Sequence, residues 1–309
     1  MHKAKIMATT NFHQLRVFHA VVSLGSFSRA AESLSVSQPA VSIQVRELER
    51  SLDSTLIHRS RSGLKLTDTG RTVYDYAQRI FALADDMQAA VEDIQGLRGA
   101  RLTIGSSTTP GEYVLPWAIG LFQKLYPDIE VSLSIANTES IIERIRDREL
   151  DLGMVGSPVS MEGLSSFEYV SDEIALIVSP QHPLATKRGL RLHELEGEKF
   201  VMREPGSATR KTAEECLASA GVTVSVAMEL GSNEAVKRAV AAGLGMGIVS
   251  KFGSAPDVAA GLIEHLAVDG WDCRRPLTVF YREDRHLPAA HRAFLEFLRE
   301  ERPLPPDAG

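Results

Sequence analysis

Two groups of polar residues in this chain could do chemistry, and neither resembles a catalytic centre. In the first group, Gln38, Pro39, Ser42 and Arg46 recur at spacings that keep them off the apolar side of a predicted helix. An amide, a hydroxyl and a guanidinium can bond to base edges or phosphates, and Pro39 can contact a thymine methyl. This pattern is typical of a helix that reads DNA, although a solvated helix surface would show the same residue types.

The second group consists of short polar side chains at points where predicted strands lead into predicted helices. Small hydroxyls and backbone N–H groups beside a helix N-terminus form a natural anion site, particularly with arginines nearby. Simple helix capping is the alternative interpretation. The candidate ligand contacts are Ser106, Ser107, Thr108, Thr109, Asn137, Thr138, Arg203, Ser207 and Thr209.

Motifs of common enzymes are absent from the sequence. It contains no Gly-x-Ser-x-Gly, no His-Glu-x-x-His and no phosphate loop. The glycines of 243–248 lack nucleotide-binding spacing and precede a strand, so we expect them to allow close backbone packing. The nine histidines show no metal-ligand spacing, and we expect His182, His286 and His291 at the surface. We therefore predict no cofactor and no metal.

The two cysteines, Cys216 and Cys273, are too few for a disulfide framework or a cysteine-based zinc site. They fit a reducing compartment, and we expect each to be a small, semi-buried side chain. The segment Met1–Thr10 lacks the apolar core of a signal peptide, and no apolar run is long enough to span a membrane. These features predict a cytoplasmic protein.

The elements that must position the first polar group are short helices followed by a hairpin. Asn11 caps a first helix that ends at Gly25, and Ser26 begins a second. Ser37 caps a third helix, whose stripe of valines and leucines packs inward. Residues 56–66 then form a wing, a hairpin with a basic turn that contains Arg59 and Arg61. Two short helices with an exposed polar face on the second match a helix-turn-helix.

A long helix, capped by Thr67, runs from about residue 68 to residue 95. Its apolar residues are spaced alternately by four and three, which predicts a seam against a second helix. An ordinary amphipathic helix packed on its own chain is the alternative. The seam residues are Val73, Ala77, Ile80, Ala84, Met87, Val91 and Ile94.

Strand and helix signals alternate from residue 101 onward, which predicts parallel sheet with crossover helices in two lobes. Charge is divided between the two parts of the chain. Residues 1–70 carry 9 Lys and Arg against 5 Asp and Glu, whereas the whole chain has a net charge of −6. A basic amino-terminal part on an acidic remainder is expected of a DNA-binding domain joined to a ligand-binding domain.

The sequence resembles the LysR-type transcriptional regulators over essentially its whole length, and most specifically over residues 11–70. Ile57-His58 departs from the pattern, because the family commonly has an aromatic residue there. The motifs that carry the resemblance are Phe12–Phe18, Gly25–Ala31, Ser37–Ser42, Leu48-Glu49 and Leu66–Gly70.

The resemblance implies an α+β protein with a winged helix-turn-helix at 11–67, a linker and dimerisation helix at 68–98, and an effector-binding domain at 100–301. The last would comprise two α/β lobes like a periplasmic binding protein, lobe I at about 100–170 plus 268–301 and lobe II at about 171–267. The ligand would lie between the lobes, with Ser107 and Thr109 lining the cleft.

The implied activity is sequence-specific regulation of bacterial genes, as activator or repressor, under control of a small, anionic metabolite. The implied partners are double-stranded promoter DNA, the effector and further copies of the chain, in a dimer and tetramer; RNA polymerase is a further candidate and a membrane is not. The expected DNA contacts are Ser28, Ser37, Gln38, Pro39, Ser42, Arg46, Arg59 and Arg61.

Two other functions are compatible with parts of the sequence. A solute-binding protein fused to a helical segment would explain the two lobes but would need export. A cytoplasmic enzyme could use the cleft for catalysis. Neither explains the polar face of the third helix or the basic wing.

Overall fold

The computed structural model describes residues 11–60, 63–95, 99–283 and 287–305, and the chain divides into two compact units. We call residues 1–87 the head and residues 88–309 the body. Among the described residues, no helix is long and apolar enough to cross a membrane.

Three helices and a hairpin build the head, together with the start of a long fourth helix. Each of the three helices begins where the sequence predicts, because the side chains of Asn11, Ser26 and Ser37 accept hydrogen bonds from backbone N–H groups of the first turn. Phe18 and Leu48 are fully buried in the core that the helices enclose. The elements are α1 Phe12–Ser23, α2 Phe27–Ser33, α3 Gln38–Ser51, β1 Ile57–Ser60, β2 Gly63–Leu66 and α4 Asp68–Gln95.

Two polar contacts fix the hairpin to its neighbouring helices. The Glu49 carboxylate on α3 accepts hydrogen bonds from the backbone N–H groups of Leu56 at 2.8 Å and Ile57 at 3.3 Å. The Thr67 hydroxyl accepts a hydrogen bond from the Gly70 N–H at 2.8 Å, at the start of α4. A Cβ added at Gly70 would lie 2.0 Å from the Leu56 carbonyl oxygen, so only glycine fits there. Glu49, Thr67 and Gly70 belong to the motifs that carry the family resemblance, and they hold the wing in place.

The apolar seam of α4 has two different environments. Ala77 is fully buried in the head core of its own chain, and Val73 and Ile80 pack against that core. Met87 and Val91 are 68% and 48% exposed. The first half of the seam is thus intramolecular packing, as the alternative interpretation predicts, and only the second half remains for another helix. The side chain of Ile94 lies outside the described residues.

A mixed sheet organises the body. The elements of the body are β3 Arg101–Ser107, a π-helical turn Pro110–Val114, α5 Leu115–Leu125, β4 Glu130–Ala136, α6 Thr138–Arg146, β5 Leu152–Val155, β6 Leu164–Val178, β7 Leu190–Arg191, a 3-10 turn Leu192–Leu195, β8 Lys199–Arg203, α7 Ala208–Ser219, β9 Ser225–Leu230, α8 Asn233–Ala241, β10 Met246–Ser250, α9 Lys251–Ala259, β11 Glu264–His265, β12 Val268–Asp269, β13 Arg274–Arg282 and α10 Ala289–Glu300. The strand order of the sheet is β4-β3-β5-β13-β6-β10-β8-β9, and β11 lies beside β6.

Two antiparallel strands connect the two ends of this sheet. Strands β3, β4 and β5 are parallel and form what we call lobe I; β8, β9 and β10 are parallel and form lobe II. The 15-residue strand β6 pairs with β13 at its beginning and with β10 at its end, so it passes from lobe I to lobe II. The prediction of parallel sheet holds within each lobe and fails at β6 and β13, which pair antiparallel with their neighbours.

The glycines of 243–248 pack closely, as expected from the sequence. A Cβ added at Gly245 would lie 2.6 Å from the Lys199 carbonyl oxygen of the neighbouring strand. One added at Gly247 would lie 2.8 Å from Val240. The glycines thus allow α8 and β8 to approach β10 closely.

The expectations for the two cysteines and for His291 are wrong. Cys216 and Cys273 are joined by a disulfide, because the fold brings the end of α7 beside the start of β13. His291 is 3% exposed, since α10 packs it onto β3, where its Nε2 accepts a hydrogen bond from the Thr103 N–H at 3.1 Å. His182 is partly buried, and His286 lies outside the described residues.

Candidate functional site

The exposed face of α3 begins in its first turn. Gln38 and Pro39 are exposed there, next to the exposed capping residue Ser37, and Arg46 is exposed two turns later. Ser28, near the start of α2, is exposed as well. Five of the expected DNA contacts therefore reach solvent on the head.

Ser42 does not belong to this exposed face. It is 7% exposed, and its hydroxyl accepts a hydrogen bond from the Gln38 side-chain Nε2 at 3.0 Å. The expectation that Ser42 projects from the helix is wrong, because its position borders the buried stripe of Val41 and Val45. Gln38 keeps a second amide N–H and its carbonyl oxygen for a base edge. Ser42 thus orients the side chain that is expected to read the base.

Ile43 was not anticipated from the sequence. It is 52% exposed on α3, outside the stripe that packs into the core. A large aliphatic side chain on a DNA-reading helix can contact a thymine methyl. The signal that could have found it is a bulky apolar residue off the apolar stripe.

The wing is an antiparallel hairpin of β1 and β2, as the sequence predicts. His58 pairs with Lys65, and both are exposed. Arg59 pairs with Leu64, but its side chain lies outside the described residues, as does all of Arg61.

The second candidate site is a small cavity between the lobes of the body, with a volume of about 10 Å³. That is about the space that one water molecule needs, so a larger ligand requires the lobes to move apart. Eight of the nine predicted effector contacts line it. The lining residues are Ser107, Thr108, Thr109, Asn137, Thr138, Arg203, Ser207, Ala208, Thr209 and Arg275.

Ser106 is the exception among the predicted contacts. Successive side chains of a strand point to opposite faces, so Ser106 turns away from the cavity that Ser107 lines. Its hydroxyl is fully buried and is 3.0 Å from both the Ser107 and Met154 carbonyl oxygens. Ser106 holds β3 against β5 and does not reach the ligand position.

Arg275 on β13 is a buried cation of the cavity that was not predicted from the sequence. It is 4% exposed, and its guanidinium pairs with the fully buried Asp172 of β6 at 2.9 Å. Burial raises the pKa of the Asp172 carboxyl, and the Arg275 guanidinium and the Ser250 hydroxyl oppose that rise. Arg275 also donates to the hydroxyls of Thr109 and Thr209, each at 3.0 Å.

Arg203 is the corresponding cation of lobe II. It is 3% exposed and binds the Glu204 carboxylate through Nε at 2.8 Å and Nη2 at 2.9 Å. It also donates to the Asn233 side-chain oxygen at 2.6 Å and to the Thr108 hydroxyl at 3.2 Å. The named contacts use four of the five N–H donors of Arg203 and three of those of Arg275. Both cations are therefore neutralised and held in place before any ligand arrives.

The arginines set the direction of the hydroxyl groups around the cavity. Thr109 accepts from both Arg275 and the Asn233 amide, while Thr108 and Thr209 each accept from one arginine. The Ser107 hydroxyl accepts from the Gly156 N–H at 3.2 Å. A hydroxyl that already accepts from a fixed donor has its own hydrogen left to donate. Four hydroxyls can thus donate into the cavity, and this suits a ligand rich in acceptor oxygens.

Helix N-termini add to the positive character of the cavity. Asn137 caps α6 in lobe I by accepting from the Ser140 N–H at 2.9 Å, and Ser207 precedes α7 in lobe II. Both helices direct their first turns at the cavity, where their dipoles favour negative charge. Thr138 and Ser207 also line a wide cleft of about 850 Å³ between α6 and α7.

Two sequence families match this chain. The model of the lysR-family bacterial regulatory helix-turn-helix protein matches residues 12–71, and the model of the LysR substrate binding domain matches residues 95–303. The chain belongs to the LysR family. It is accordingly a DNA-binding transcriptional regulator with an effector-binding domain, and not an enzyme.

Similar proteins match this regulator along nearly its whole length. It is 34% identical over 292 residues to the HTH-type transcriptional activator CmpR of Synechocystis, covering 94% of this chain and 96% of that protein. It is 35% identical over 291 residues to the RuBisCO operon transcriptional regulator of Allochromatium vinosum, with 94% and 96% covered.

Solved structures support the fold of the LysR regulator. The regulatory domain of Synechocystis PCC6803 CcmR in complex with 2-PG is 33% identical, with a TM-score of 0.60, and the match covers 64% of this chain and 95% of that one. Full-length CbnR complexed with its target DNA is 22% identical, with a TM-score of 0.65 and 94% and 99% covered, and shows the shared fold.

Proposed function

We propose that this regulator binds a small anionic metabolite in the cavity between the lobes and that binding changes how the head engages promoter DNA. The observation that carries this proposal is a set of four hydroxyls that can donate into the cavity, three of them held by two neutralised arginines and one by a backbone N–H. Anionic oxygens accept strong hydrogen bonds from such donors. Because the related CcmR regulatory domain was solved in complex with 2-PG, 2-PG is the first probe to use.

The proposed domains are those expected from the sequence, with the winged helix-turn-helix at 11–67, the linker helix at 68–98 and the effector-binding domain at 100–301. Gln38, Pro39 and Arg46 would enter the major groove, and Ser42 would act through Gln38. Ser28, Arg59 and Arg61 would contact the phosphate backbone and fix the position of the head.

The regulator would act as a dimer or tetramer in the cytoplasm, with RNA polymerase as a further partner at the promoter. Leu83, Met87 and Val91 are exposed on one side of α4, at helical spacing. Pairing of two such helices would bury these side chains and place two heads on one DNA duplex. A ligand could then act only by favouring one arrangement of the heads over another.

Calorimetry on the full chain tests the effector proposal. We expect 2-PG to bind the wild type and Thr109→Val, which removes one hydroxyl donor at nearly constant volume, to weaken binding about tenfold. Thr223→Val is the matched control, because Thr223 is exposed and outside the cavity. Equal affinity of the Thr109→Val variant and the wild type, or no binding of 2-PG or inorganic phosphate to the wild type, would contradict the proposal.

A further inference from the structure

The disulfide between Cys216 and Cys273 lies at the far end of an element that lines the effector cavity. Cys216 is near the end of α7, and Cys273 directly precedes β13. The chain has two cysteines in all, so any thiol chemistry of this protein belongs to this pair.

A ring of covalent and hydrogen-bonded connections links the disulfide to the cavity. Thr209 stands near the start of α7, about 10 Å along the helix axis from Cys216. Arg275 follows Cys273 by two residues and donates from Nη1 to the Thr209 hydroxyl at 3.0 Å. This ring consists of α7, the disulfide, the start of β13 and this hydrogen bond. Within it, the disulfide is the covalent cross-link between α7 and the segment before β13.

The two cysteines differ in exposure. Cys273 is 1% exposed, whereas Cys216 is partly exposed and lines an open cavity of about 420 Å³ that Trp271 and Arg274 also line. Because Cys216 lines this cavity and Cys273 does not, we expect a small thiol to reach the Cys216 sulfur more readily. Access of this kind decides which sulfur of a disulfide is attacked.

We propose that Cys216–Cys273 is a reversible thiol–disulfide site, opened at Cys216 by low-molecular-weight thiols, and that the closed form binds the effector more tightly. In the opening step an external thiolate attacks the Cys216 sulfur, the Cys216–Cys273 bond breaks, and Cys273 leaves as a thiolate that takes up a proton. A second external thiolate attacks the mixed disulfide, releases Cys216 as a thiol and leaves as the oxidised low-molecular-weight disulfide. The reverse sequence, with that disulfide as oxidant, closes the bond.

Two physical arguments support a regulatory role. A disulfide in a protein that works in a reducing compartment is usually transient and serves catalysis or redox sensing. The cross-link also restricts the motion of α7 against β13, and this lowers the ordering cost of bringing Thr209 and Arg275 to a ligand. The effect on effector affinity rests on the proposed function, whereas the thiol chemistry does not.

The thiol chemistry is tested on the full chain in glutathione buffers of graded redox poise. Free thiols are alkylated, and the number of alkyl groups on the protein is measured by mass spectrometry. We expect both thiols to disappear together as the buffer becomes oxidising. In single variants, Cys216 of the Cys273→Ser variant should form a mixed disulfide with oxidised glutathione, releasing reduced glutathione, about tenfold faster than Cys273 of the Cys216→Ser variant. Two thiols that persist in oxidising buffer, or equal rates in the two variants, would overturn the proposed site.

The coupling to the cavity is tested by titrating 2-PG into oxidised and reduced wild type. We expect binding to be about threefold tighter or more in the oxidised form. Cys216→Ser should match the reduced wild type in both buffers. Equal affinity in the two redox states would overturn the coupling.

If 2-PG binds neither form, the proposed effector class is wrong, and amide hydrogen exchange decides the coupling without a ligand. Slower exchange of residues 208–216 in the oxidised wild type than in Cys216→Ser would support it. Identical exchange would overturn it.

Discussion

The head and the body use polar side chains in opposite ways. On the head, Gln38, Pro39 and Arg46 stand on one exposed helix, ready to meet water or DNA. In the body, Arg203 and Arg275 are at most 4% exposed and are already neutralised by carboxylates. A surface for a large polyanion can thus be built from one helix, whereas a cavity for a small anion needs several elements and internal neutralisation.

The contrast has an energetic consequence. An exposed charge contributes little to folding, so it can be chosen for binding alone. A buried ion pair is costly to break, because removal of one partner leaves the other charge uncompensated. We therefore expect stability and function to separate cleanly in the head and to be coupled in the body.

The largest effect is expected for Arg275→Met. Removing the guanidinium leaves the fully buried Asp172 without its cation, and loss of such a partner costs about 3–5 kcal/mol. Urea unfolding of the full chain measures this loss. The double variant Asp172→Asn/Arg275→Met should recover part of the lost stability. A loss below about 1 kcal/mol for Arg275→Met would contradict the expectation that stability and function are coupled in the body.

A smaller effect, confined to DNA binding, is expected for Gln38→Ala. Loss of a bidentate amide contact should weaken binding to a duplex selected from a random library by about 1–3 kcal/mol. Binding to non-specific duplex should hardly change. Gln44→Ala is the matched control on another side of α3. An equal loss on both duplexes would mean that Gln38 contacts only the backbone.

Ser42→Ala should weaken binding to the selected duplex by about 1 kcal/mol, because Gln38 loses the hydroxyl that orients it. The effect should vanish when Gln38 is already alanine. A double-mutant cycle by fluorescence anisotropy measures this coupling. Additive losses would show that Ser42 acts independently of Gln38.

The smallest effect is expected for Arg46→Ala. Because Arg46 is exposed, the free energy of unfolding should change by less than about 0.5 kcal/mol. If Arg46 contacts a phosphate, the slope of log affinity against log salt should become shallower by about 1. An unchanged slope with altered base preference would place Arg46 at a base edge instead.

Much of the head could be predicted because its signals are local in sequence. The caps Asn11, Ser26 and Ser37 set the start of each helix within a few residues, and helical spacing alone separates the core stripe from the outer face. Ser42 was misplaced because a residue at the border of the stripe is buried or exposed by tertiary packing.

The cavity was predictable only in part, for a related reason. Ser107, Thr109 and Ser207 stand at strand-to-helix turns, and such turns are visible in sequence. Arg275 lies inside a strand, 66 residues from its partner Thr209, and nothing local marks it as a ligand-site cation. The pairing of Cys216 with Cys273, 57 residues apart, was missed because two cysteines are too few to indicate a disulfide framework and only the fold brings them together.

DNA and effector should engage different groups of residues, on the head and in the body respectively. Hydrogen exchange on the full chain, measured separately with a selected duplex and with 2-PG, distinguishes the two groups in one experiment. We expect the duplex to slow exchange in residues 37–46 and 2-PG to slow exchange in residues 107–109 and 207–209. Protection of 107–109 by the duplex without 2-PG, with 37–46 unchanged, would contradict this division of labour.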